Sequence, residues 1–297
     1  MRTTLSGYHN QMDNFEIRKA SPDEFVTAIK WAHSEGWNPG HDDLAPFFTA
    51  DSSGFLMGYL QGIPISSISV VRYGEDFGFL GFYIVHPNYR GMGYGLATWN
   101  AGMSLLEGRT IGLDGVVEQQ DNYKKSGFDF AHRTIRYAGQ PEIDPDEKHP
   151  YEINRVADIY MDEIHELDGK CFPAVRSEFL RHWLLPDEQT QRHSFAAIKN
   201  GELAGFATIR KCHEGYKIGP LFALSQDAAG SLFVECCAIA EPDATVVIDV
   251  PEANAEGANM AKSFGLSPVF ETARMYRGET PPMQTPFIFG STTLELG

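Results

Sequence analysis

The first half of the chain alternates strand-like and helix-like patterns of apolar residues. Ser21 and Pro22 begin a helical pattern that ends at Gly36, because serine caps helix N-termini, proline fits the first turn and glycine ends helices. The run 77–85 is apolar on both faces, which indicates a strand in the centre of a sheet. The other elements that the pattern predicts here are strands at 15–20, on both sides of the turn Gln61-Gly62, at 110–117 and at 131–139, and helices at 96–108 and 120–128.

The second half of the chain repeats this order of elements. An alignment of the two halves places Thr134 opposite Thr272, and two residues later an arginine again faces an arginine. Together with the shared order, these matches favour an internal duplication. The elements predicted in this half are helices at about 157–168 and near 177–185, a hairpin with Asn200-Gly201 at its turn, a strand at 215–224, a helix after Ser225, a strand at 245–251 and a helix at 254–264.

The segment 140–150 separates the two halves. It is rich in proline and acidic residues and nearly devoid of apolar ones, which is typical of a linker. We therefore predict a first domain at 1–139, a linker at 140–150, and a second domain at 151–297 that ends in a C-terminal tail.

The composition is that of a soluble globular protein, with 42% hydrophobic and 22% charged residues. A formal net charge of −16 argues against a nucleic-acid partner, because phosphate backbones are bound by clustered lysine and arginine. The first residues lack the apolar core of a signal peptide, and no run is long enough to span a membrane. We therefore expect a cytoplasmic protein without a membrane partner. The four cysteines and ten histidines lack the usual metal-ligand spacings, so we expect free thiols and no metal.

A glycine-rich stretch, HPNYRGMGYG at 86–95, follows the predicted central strand. Such a turn can bind a phosphate, because glycine leaves backbone N–H groups accessible at a helix N-terminus. A Walker loop requires Gly-Lys-Ser/Thr, and a dinucleotide-binding loop requires G-x-G-x-x-G. The G-x-G-x-G spacing of this stretch fits neither pattern, which excludes both kinds of nucleotide site.

The sequence Arg90-Gly91-Met92-Gly93-Tyr94-Gly95 resembles the R/Q-x-x-G-x-G/A motif of the GNAT superfamily of N-acetyltransferases. The order of elements over 15–138 is also similar to that of the whole GNAT fold. The resemblance implies an α/β fold with a mixed sheet and, given the duplication, two tandem GNAT domains. It further implies acetyl-CoA as the cosubstrate, with its pyrophosphate bound by the backbone of residues 90–95, and no metal.

Further donor contacts follow from the same resemblance. In the family, the pantetheine arm pairs with the backbone of the fourth strand, which corresponds to Ile84 and Val85 in this sequence. An asparagine that is common in the family before the short fourth helix is replaced by valine here. The residues left to make the corresponding contact to CoA are Gln119, Gln120 and Asn122.

Tyr123 is the candidate catalytic acid. It keeps the family's spacing from a tyrosine to a Gly-Phe pair, here Gly127-Phe128, and in the family that tyrosine protonates the leaving thiolate. Such a transfer is chemically reasonable, because a free tyrosine has a pKa of about 10 and a thiol one of about 8.5. The alternative interpretation of Tyr123 is an amphipathic tyrosine of the core.

The sequence does not identify the general base. Many GNAT enzymes use a glutamate on the fourth strand, but 77–85 contains no carboxylate. The loop that follows the first helix corresponds to the place where the family's acceptor enters. Trp37 in this loop would either line an acceptor pocket or anchor the loop. The candidate bases are Asp42 and Asp43 in the same loop, Glu75, Asp76 and a water molecule.

The second half lacks the R-x-x-G-x-G motif, and Ala261 stands at the position that corresponds to Tyr123. We therefore expect catalysis in the first half alone. The resulting hypothesis is an N-acetyltransferase that transfers an acetyl group from acetyl-CoA to a primary amine of a small molecule by direct attack. The alternative is a non-catalytic tandem module that binds acyl-CoA or a metabolite. The identity of the acceptor stays open, as does the formation of a homodimer.

Overall fold

The computed structural model describes residues 14–144, 150–187 and 189–297. The strands are β1 (Phe15–Lys19), β2 (Phe55–Leu60), β3 (Ile63–Tyr73), β4 (Phe77–Val85), β5 (Thr110–Val116), β6 (Asp129–Gly139), β7 (Glu152–Arg155), β8 (Arg192–Lys199), β9 (Glu202–Lys211), β10 (Tyr216–Ala223), β11 (Val246–Pro251), β12 (Ser267–Arg277) and β13 (Ile288–Gly290). The helices are α1 (Pro22–Ser34), α2 (Leu44–Ala50), α3 (Tyr94–Leu105), α4 (Gln120–Lys125), α5 (Met161–Cys171), α6 (Ser177–Leu184), α7 (Gln226–Cys237) and α8 (Ala255–Ser263).

One mixed sheet runs through both halves of the described chain. The order of its strands is β1-β2-β3-β4-β5-β12-β6-β11-β10-β9-β8-β7, and β13 pairs with β10. The pairs β4–β5 and β10–β11 are parallel, and the other pairs are antiparallel. The predicted α/β fold with a mixed sheet is thereby confirmed.

The two halves exchange a strand at the centre of this sheet. β12, from the second half, lies between β5 and β6, so that Thr272 faces Val116 on one side and Thr134 on the other. β6 in turn pairs with β11 of the second half. The division at 139 and 151 thus remains a prediction about sequence segments, and residues 145–149 of the predicted linker lie outside the described residues.

Buried ion pairs join the exchanged strands. Arg274 of β12 donates from Nε and Nη2 to both carboxylate oxygens of Asp114 on β5, at 2.9 and 2.6 Å. Arg136 of β6 binds Asp249 of β11 in the same two-pronged way, at 2.7 and 2.9 Å. Because a buried charge is costly unless it is paired, these contacts favour the observed register of the exchanged strands.

Local signals in the sequence set the start of α1. The Ser21 hydroxyl accepts a hydrogen bond from the N–H of Glu24, and the Glu24 carboxylate accepts one from the N–H of Ser21, which is a capping box. The loop predicted after the first helix, by contrast, contains helix α2. This helix has only seven residues, too few for apolar periodicity to reveal it.

An apolar core connects the two halves below the sheet. Phe47 of α2 stacks on Trp183 of α6, with ring centroids 6.0 Å apart. Tyr73 of β3 packs edge-on against Phe172, which follows α5, at 4.9 Å. All four cysteines are buried free thiols, as the sequence predicts.

Candidate active site

Strands β4 and β5 diverge in the middle of the sheet. Residues 77–80 of β4 pair with 110–113 of β5, and in the described chain no later pair joins the two strands, although β4 continues to Val85. β4 also carries a bulge, because Phe82 has a φ of +45° and the register against β3 shifts beside it. A gap therefore opens between the two strands beyond Leu80.

Helix α3 begins beside this gap with uncapped N–H groups. Its N-cap is Gly93, which has a left-handed φ of +89° and offers no side chain as a cap. The first N–H groups of a helix lack intrahelical partners and carry a partial positive charge. The start of α3 therefore suits an anion such as a phosphate.

The three glycines of the loop are required for two different reasons. Gly91 and Gly93 have φ values of +75° and +89°, and a Cβ added to either would meet open space. These two positions therefore need glycine for its backbone conformation. A Cβ on Gly95 would instead lie 2.9 Å from Tyr83 Oη and 3.0 Å from Val85 Cγ2. Gly95 is needed because the first turn of α3 closely approaches β4.

The non-glycine residues of the loop fix its position. Arg90 donates from Nε to the carbonyl oxygen of Val85 at 2.9 Å, and it forms an ion pair with Glu35 at the end of α1. The Tyr94 ring is buried against Phe15 of β1, with centroids 4.8 Å apart. The Met92 side chain is exposed.

The two residues predicted to contact pantetheine differ in orientation. His86 donates its backbone N–H to Ile65 O on β3, at 2.8 Å. Because backbone groups alternate between the two edges of a strand, those of Ile84 also point to β3, whereas those of Val85 point to the gap. Of the two residues, Val85 is thus the one whose N–H is available at the gap.

Tyr123 lies on α4 beside the gap. Its ring stacks on Trp99 of α3 at 5.8 Å, and a Cβ on Gly115 of β5 would overlap it. Burial, with a smaller effect from Tyr83, raises the pKa of Tyr123 to about 12. The hydroxyl is therefore protonated at neutral pH, which a proton donor requires.

Tyr83 is a second tyrosine at the gap, which the sequence analysis did not single out. The Tyr83 ring packs edge-on against the Trp99 ring, with centroids 5.2 Å apart, and burial raises the pKa of Tyr83. Strand alternation gives the only sequence signal, since it places Tyr83 on the same face as Val85. Asn122, in contrast, is exposed on α4 and donates to Gln119 Oε1 at 2.7 Å, so these two candidate CoA contacts lie side by side at the rim.

The loop between α1 and α2 is docked onto the second half. The carbonyl oxygen of Trp37 accepts hydrogen bonds from Arg136 Nη1 and Lys217 Nζ, both at 3.2 Å. Asp42 accepts a hydrogen bond from the backbone N–H of Gln191 at 2.6 Å. The predicted acceptor loop is thus part of the contact between the halves, and Trp37 lies only partly buried within it.

Asp43 is the buried centre of this contact. Its carboxylate lies 3.1 Å from Arg192 Nη2 and 3.0 Å from Arg210 Nε, and it accepts the N–H of Gly40 at 2.8 Å. Burial alone would raise the pKa of Asp43, but Arg210 and Arg192 outweigh it, so the pKa is below its ordinary value. An acid held in this way is a weak proton acceptor, and its position favours a role in joining the halves.

A second gap, in the second half, is filled by the chain itself. β10 and β11 pair from Tyr216–Val246 to Ile218–Ile248 and then diverge. β13 enters there, pairing with β10, and Ser291 N–H next donates to Asp249 O of β11 at 2.8 Å. The place that corresponds to the β4–β5 gap is therefore taken by residues of the same chain.

The helix that corresponds to α3 is also closed. The Ser225 hydroxyl caps α7 by accepting the N–H of Ala228 at 3.2 Å. At the start of α3, by contrast, Gly93 has no side chain that could act as a cap. Ala261, the counterpart of Tyr123, is buried among apolar residues. Within the described residues, the first half alone thus combines an open gap, a helix start without a side-chain cap and a tyrosine.

The described residues form neither a metal cluster nor a membrane-spanning helix. Among the residues that the structure describes, no three histidine, cysteine, aspartate or glutamate side chains come together as a metal site. Within residues 14–144, 150–187 and 189–297, no helix has both the length and the apolar character needed to cross a bilayer.

Comparison with known families gives one match in each half. A profile of the Acetyltransferase (GNAT) family matches residues 15–128, and a profile of an Acetyltransferase (GNAT) domain matches residues 164–290. The chain is 33% identical over 282 residues to holothin acyltransferase of Pseudoalteromonas sp. (strain SANK 73390), with 94% of each chain covered.

Solved structures share the fold over nearly the whole chain. One from Pyrococcus horikoshii superposes with a TM-score of 0.80 at 20% identity and covers 96% of each chain. A tandem GNAT protein from the clavulanic acid biosynthesis pathway superposes with a TM-score of 0.61 at 13% identity, over 90% of this chain and 99% of that one. Both halves therefore have solved counterparts in single chains.

Proposed function

Because the chain belongs to the GNAT family of acetyltransferases, we propose that its first half transfers an acetyl group from acetyl-CoA to a primary amine. The tandem GNAT organisation predicted from the sequence is confirmed, and acyl transfer is supported by the family and by the 33% identical acyltransferase. The observation that carries the proposal is the β4–β5 gap with the uncapped start of α3 beside it.

The residues at this gap offer contacts for two parts of acetyl-CoA, which supports the proposal. The pyrophosphate would accept hydrogen bonds from the N–H groups around Gly93, where a glycine N-cap provides no side chain to cap them. The pantetheine arm would lie along the open edge of β4, next to Val85. The absence of a side chain on Gly95 keeps α3 close to β4, so that both contacts can be made by one ligand.

The proposed reaction is a direct attack without a covalent enzyme intermediate. The amine nitrogen forms a bond to the thioester carbonyl carbon, the C–S bond breaks, and its electron pair goes to sulfur. Tyr123 gives its proton to the thiolate, and the nitrogen loses a proton to a base. No nucleophilic side chain is assigned, since all four cysteines are buried and the burial of Cys171, Cys236 and Cys237 raises their thiol pKa values.

A thiol-release screen tests the proposal. Acetyl-CoA and the full chain are incubated with a library of primary amines, and free CoA is measured with a thiol reagent. Holothin belongs in the library because the 33% identical relative is a holothin acyltransferase. Amine-dependent CoA release supports the transferase. Binding of acetyl-CoA without release for any amine would favour the non-catalytic module instead.

Gly93→Glu is expected to weaken acetyl-CoA binding by about 30- to 100-fold. The substitution places a carboxylate where the pyrophosphate would bind, and it also strains a backbone with φ +89°. Isothermal titration calorimetry with acetyl-CoA measures the effect. Gly201→Glu is the matched control, because Gly201 has φ +85° and equally open surroundings but lies in a hairpin turn of the second half. Equal affinity in the two variants would contradict the assigned phosphate site.

The full chain is expected to bind one acetyl-CoA. In the second half, β13 fills the gap between β10 and β11, and the Ser225 side chain caps the helix start. Equilibrium dialysis with radiolabelled acetyl-CoA should give a stoichiometry close to one. The same measurement on Gly93→Glu should approach zero at concentrations that saturate the wild type. Two sites of similar affinity would show that the second half binds the donor too.

A further inference from the structure

The residues that follow β13 cross from the second half to the first. We call Ser291–Gly297 the C-terminal segment. Its Thr292 carbonyl oxygen lies 2.6 Å from where a Cβ on Gly219 of β10 would be. Further along, the backbone carbon and Cα of Glu295 lie 2.9 and 3.0 Å from where a Cβ on Gly81 of β4 would be. The path of the C-terminal segment therefore requires that Gly219 of β10 and Gly81 of β4 have no side chain.

Hydrogen bonds hold the C-terminal segment in place. Tyr73 donates its hydroxyl to Leu296 O at 3.1 Å. Arg176 donates to Gly297 O at 3.1 Å and to Thr292 Oγ1 at 2.8 Å. Its guanidinium is itself paired with Asp168. Because these contacts lie on both sides of Glu295, the backbone of that residue is fixed against β4.

The backbone of Glu295 lies at the point where the β4–β5 gap opens. Gly81 is the first residue of β4 after the last parallel pair, and it precedes the bulge at Phe82. Trp99 of α3 and Tyr123 of α4 cover the face of the gap on which these two helices lie. Glu295 is on the other face, which leads to the α1–α2 side of the sheet. An amine that attacks a thioester in the gap has to approach from this second face.

The Glu295 carboxylate differs from the other acids buried between the halves. Asp43, Asp114, Asp168 and Asp249 are each paired with arginine. Glu295 is 4% exposed, and within the described chain its carboxylate has no hydrogen bond or ion pair. It is thus a carboxylate whose oxygens are free to accept a proton.

The surroundings of Glu295 suit a proton acceptor. The charged groups that face it are Lys217 of β10, Arg136 of β6, Arg210 of β9 and Asp43 before α2. Burial raises the pKa of Glu295 and is the largest effect, although Lys217 opposes it. Burial also lowers the pKa of Lys217, which weakens that opposing charge. A carboxylate with a raised pKa is a better match for a general base than a free one.

The other candidate bases are less well placed. Asp43 is held by two arginines, and Asp42 is bound to a backbone N–H of the second half. Asp76 directly precedes β4, and its carbonyl oxygen accepts the N–H of Thr110, so it lies where β4 and β5 are still joined. Five residue-to-residue steps along the strand separate it from Gly81, about 16 Å at the usual rise. Glu75 is one residue further away.

We propose that Glu295 is the general base that accepts the proton of the attacking amine. The proposal rests on the acetyltransfer proposed above. As the nitrogen forms its bond to the carbonyl carbon, one N–H proton passes to a Glu295 carboxylate oxygen. The C–S bond breaks, and the thiolate takes the proton of Tyr123. The carboxylate missing from β4 is thus supplied by the last residues of the second half.

Substitution of Glu295 tests the assignment with an amine that the thiol-release screen identifies. Glu295→Gln keeps the size of the side chain and removes the proton acceptor, so kcat is expected to fall about 100-fold, with acetyl-CoA affinity unchanged. The acidic limb of the pH–kcat profile, along which the rate rises as Glu295 loses its proton, should disappear. Thr293→Val is the control in the same segment, because it removes only the acceptor of the Leu296 N–H and should keep that limb.

Glu295→Asp separates a base from a packing residue. A base predicts that Asp, which keeps the carboxylate, is more active than Gln, whereas packing predicts the reverse because Gln has the shape of Glu. Higher activity in Gln than in Asp, or a Gln variant within threefold of wild type, would overturn the assignment and leave acetyltransfer intact. Failure of the wild type to release CoA with any amine would overturn acetyltransfer, and the base with it.

Discussion

Asp43→Asn is expected to lower the free energy of unfolding by about 3–5 kcal/mol, because it leaves two buried guanidinium groups without their counter-charge. Arg192 and Arg210 are both nearly inaccessible to solvent and share this carboxylate. Atoms of both guanidinium groups, Arg192 Nε and Arg210 Nη2, already lack a hydrogen-bond partner among the described residues. Water cannot readily replace the lost charge, so the cost falls on the contact between the halves.

Urea unfolding followed by tryptophan fluorescence measures this effect. Trp183 lies beside both arginines, with guanidinium carbons 4.2 and 4.8 Å from its ring centre, so it reports on the contact. Asp42→Asn is the matched control, since Asp42 is the neighbouring acid and binds only a backbone N–H. A similar loss of stability in the two variants would contradict a special role for Asp43.

The pH dependence of this difference has a defined sign. The pKa of Asp43 is lowered in the folded protein, with Arg210 and Arg192 outweighing the opposite effect of burial. The stability that it contributes is therefore present above the unfolded pKa of about 3.9 and is lost as the pH falls towards the folded pKa. The difference in unfolding free energy between wild type and Asp43→Asn should therefore become smaller in acid.

The elements near the proposed donor site could be predicted because their signals are local. The strand at 77–85 is apolar on both faces, and the glycines that follow it have a spacing and a context that few other loops share. Ser21 begins α1 through contacts within four residues. Such features depend on neighbours in the sequence, which is the information that a pattern contains.

The strand exchange could not be predicted from these signals. β5 accepts β12 as an antiparallel neighbour, and nothing in an apolar pattern distinguishes β12 from β6 in that place. Thr134 and Thr272, which the alignment of the two halves places opposite each other, are also direct neighbours across the exchanged strands. The two aligned segments form β6 in the first half and β12 in the second, and these two strands pair with each other.

The roles of Asp43 and Glu295 depend on contacts between distant parts of the chain. Asp43 meets arginines about 150 residues away, and Glu295 meets Gly81 of the first half. The sequence placed Asp43 in an acceptor loop, and its environment instead makes it a structural ion pair. It gave no reason to single out Glu295, because a lone glutamate in a tail is usually solvated.

Tyr123→Phe is expected to lower kcat by about 10³-fold without changing the affinity for acetyl-CoA, within the range for loss of a general acid. The phenyl ring keeps the stacking on Trp99, so the wall of the gap stays in place and the leaving thiolate alone loses its proton donor.

The raised pKa of Tyr123 sets where its loss of a proton would appear in the pH profile. The pKa of Tyr123 is about 12, so wild-type kcat should show no alkaline decline from this group below about pH 10.

Tyr83→Phe is the matched control, because it removes a hydroxyl from the same gap, and only a small change in kcat is expected. Single-turnover measurements with the enzyme in excess over acetyl-CoA report the chemical step directly. If Tyr83→Phe lost as much activity as Tyr123→Phe, the proton donor would have to be reassigned, since Tyr83 also reaches the first turn of α3. If neither variant lost activity, water would be the proton donor, and Tyr123 would be a packing residue in the wall of the gap.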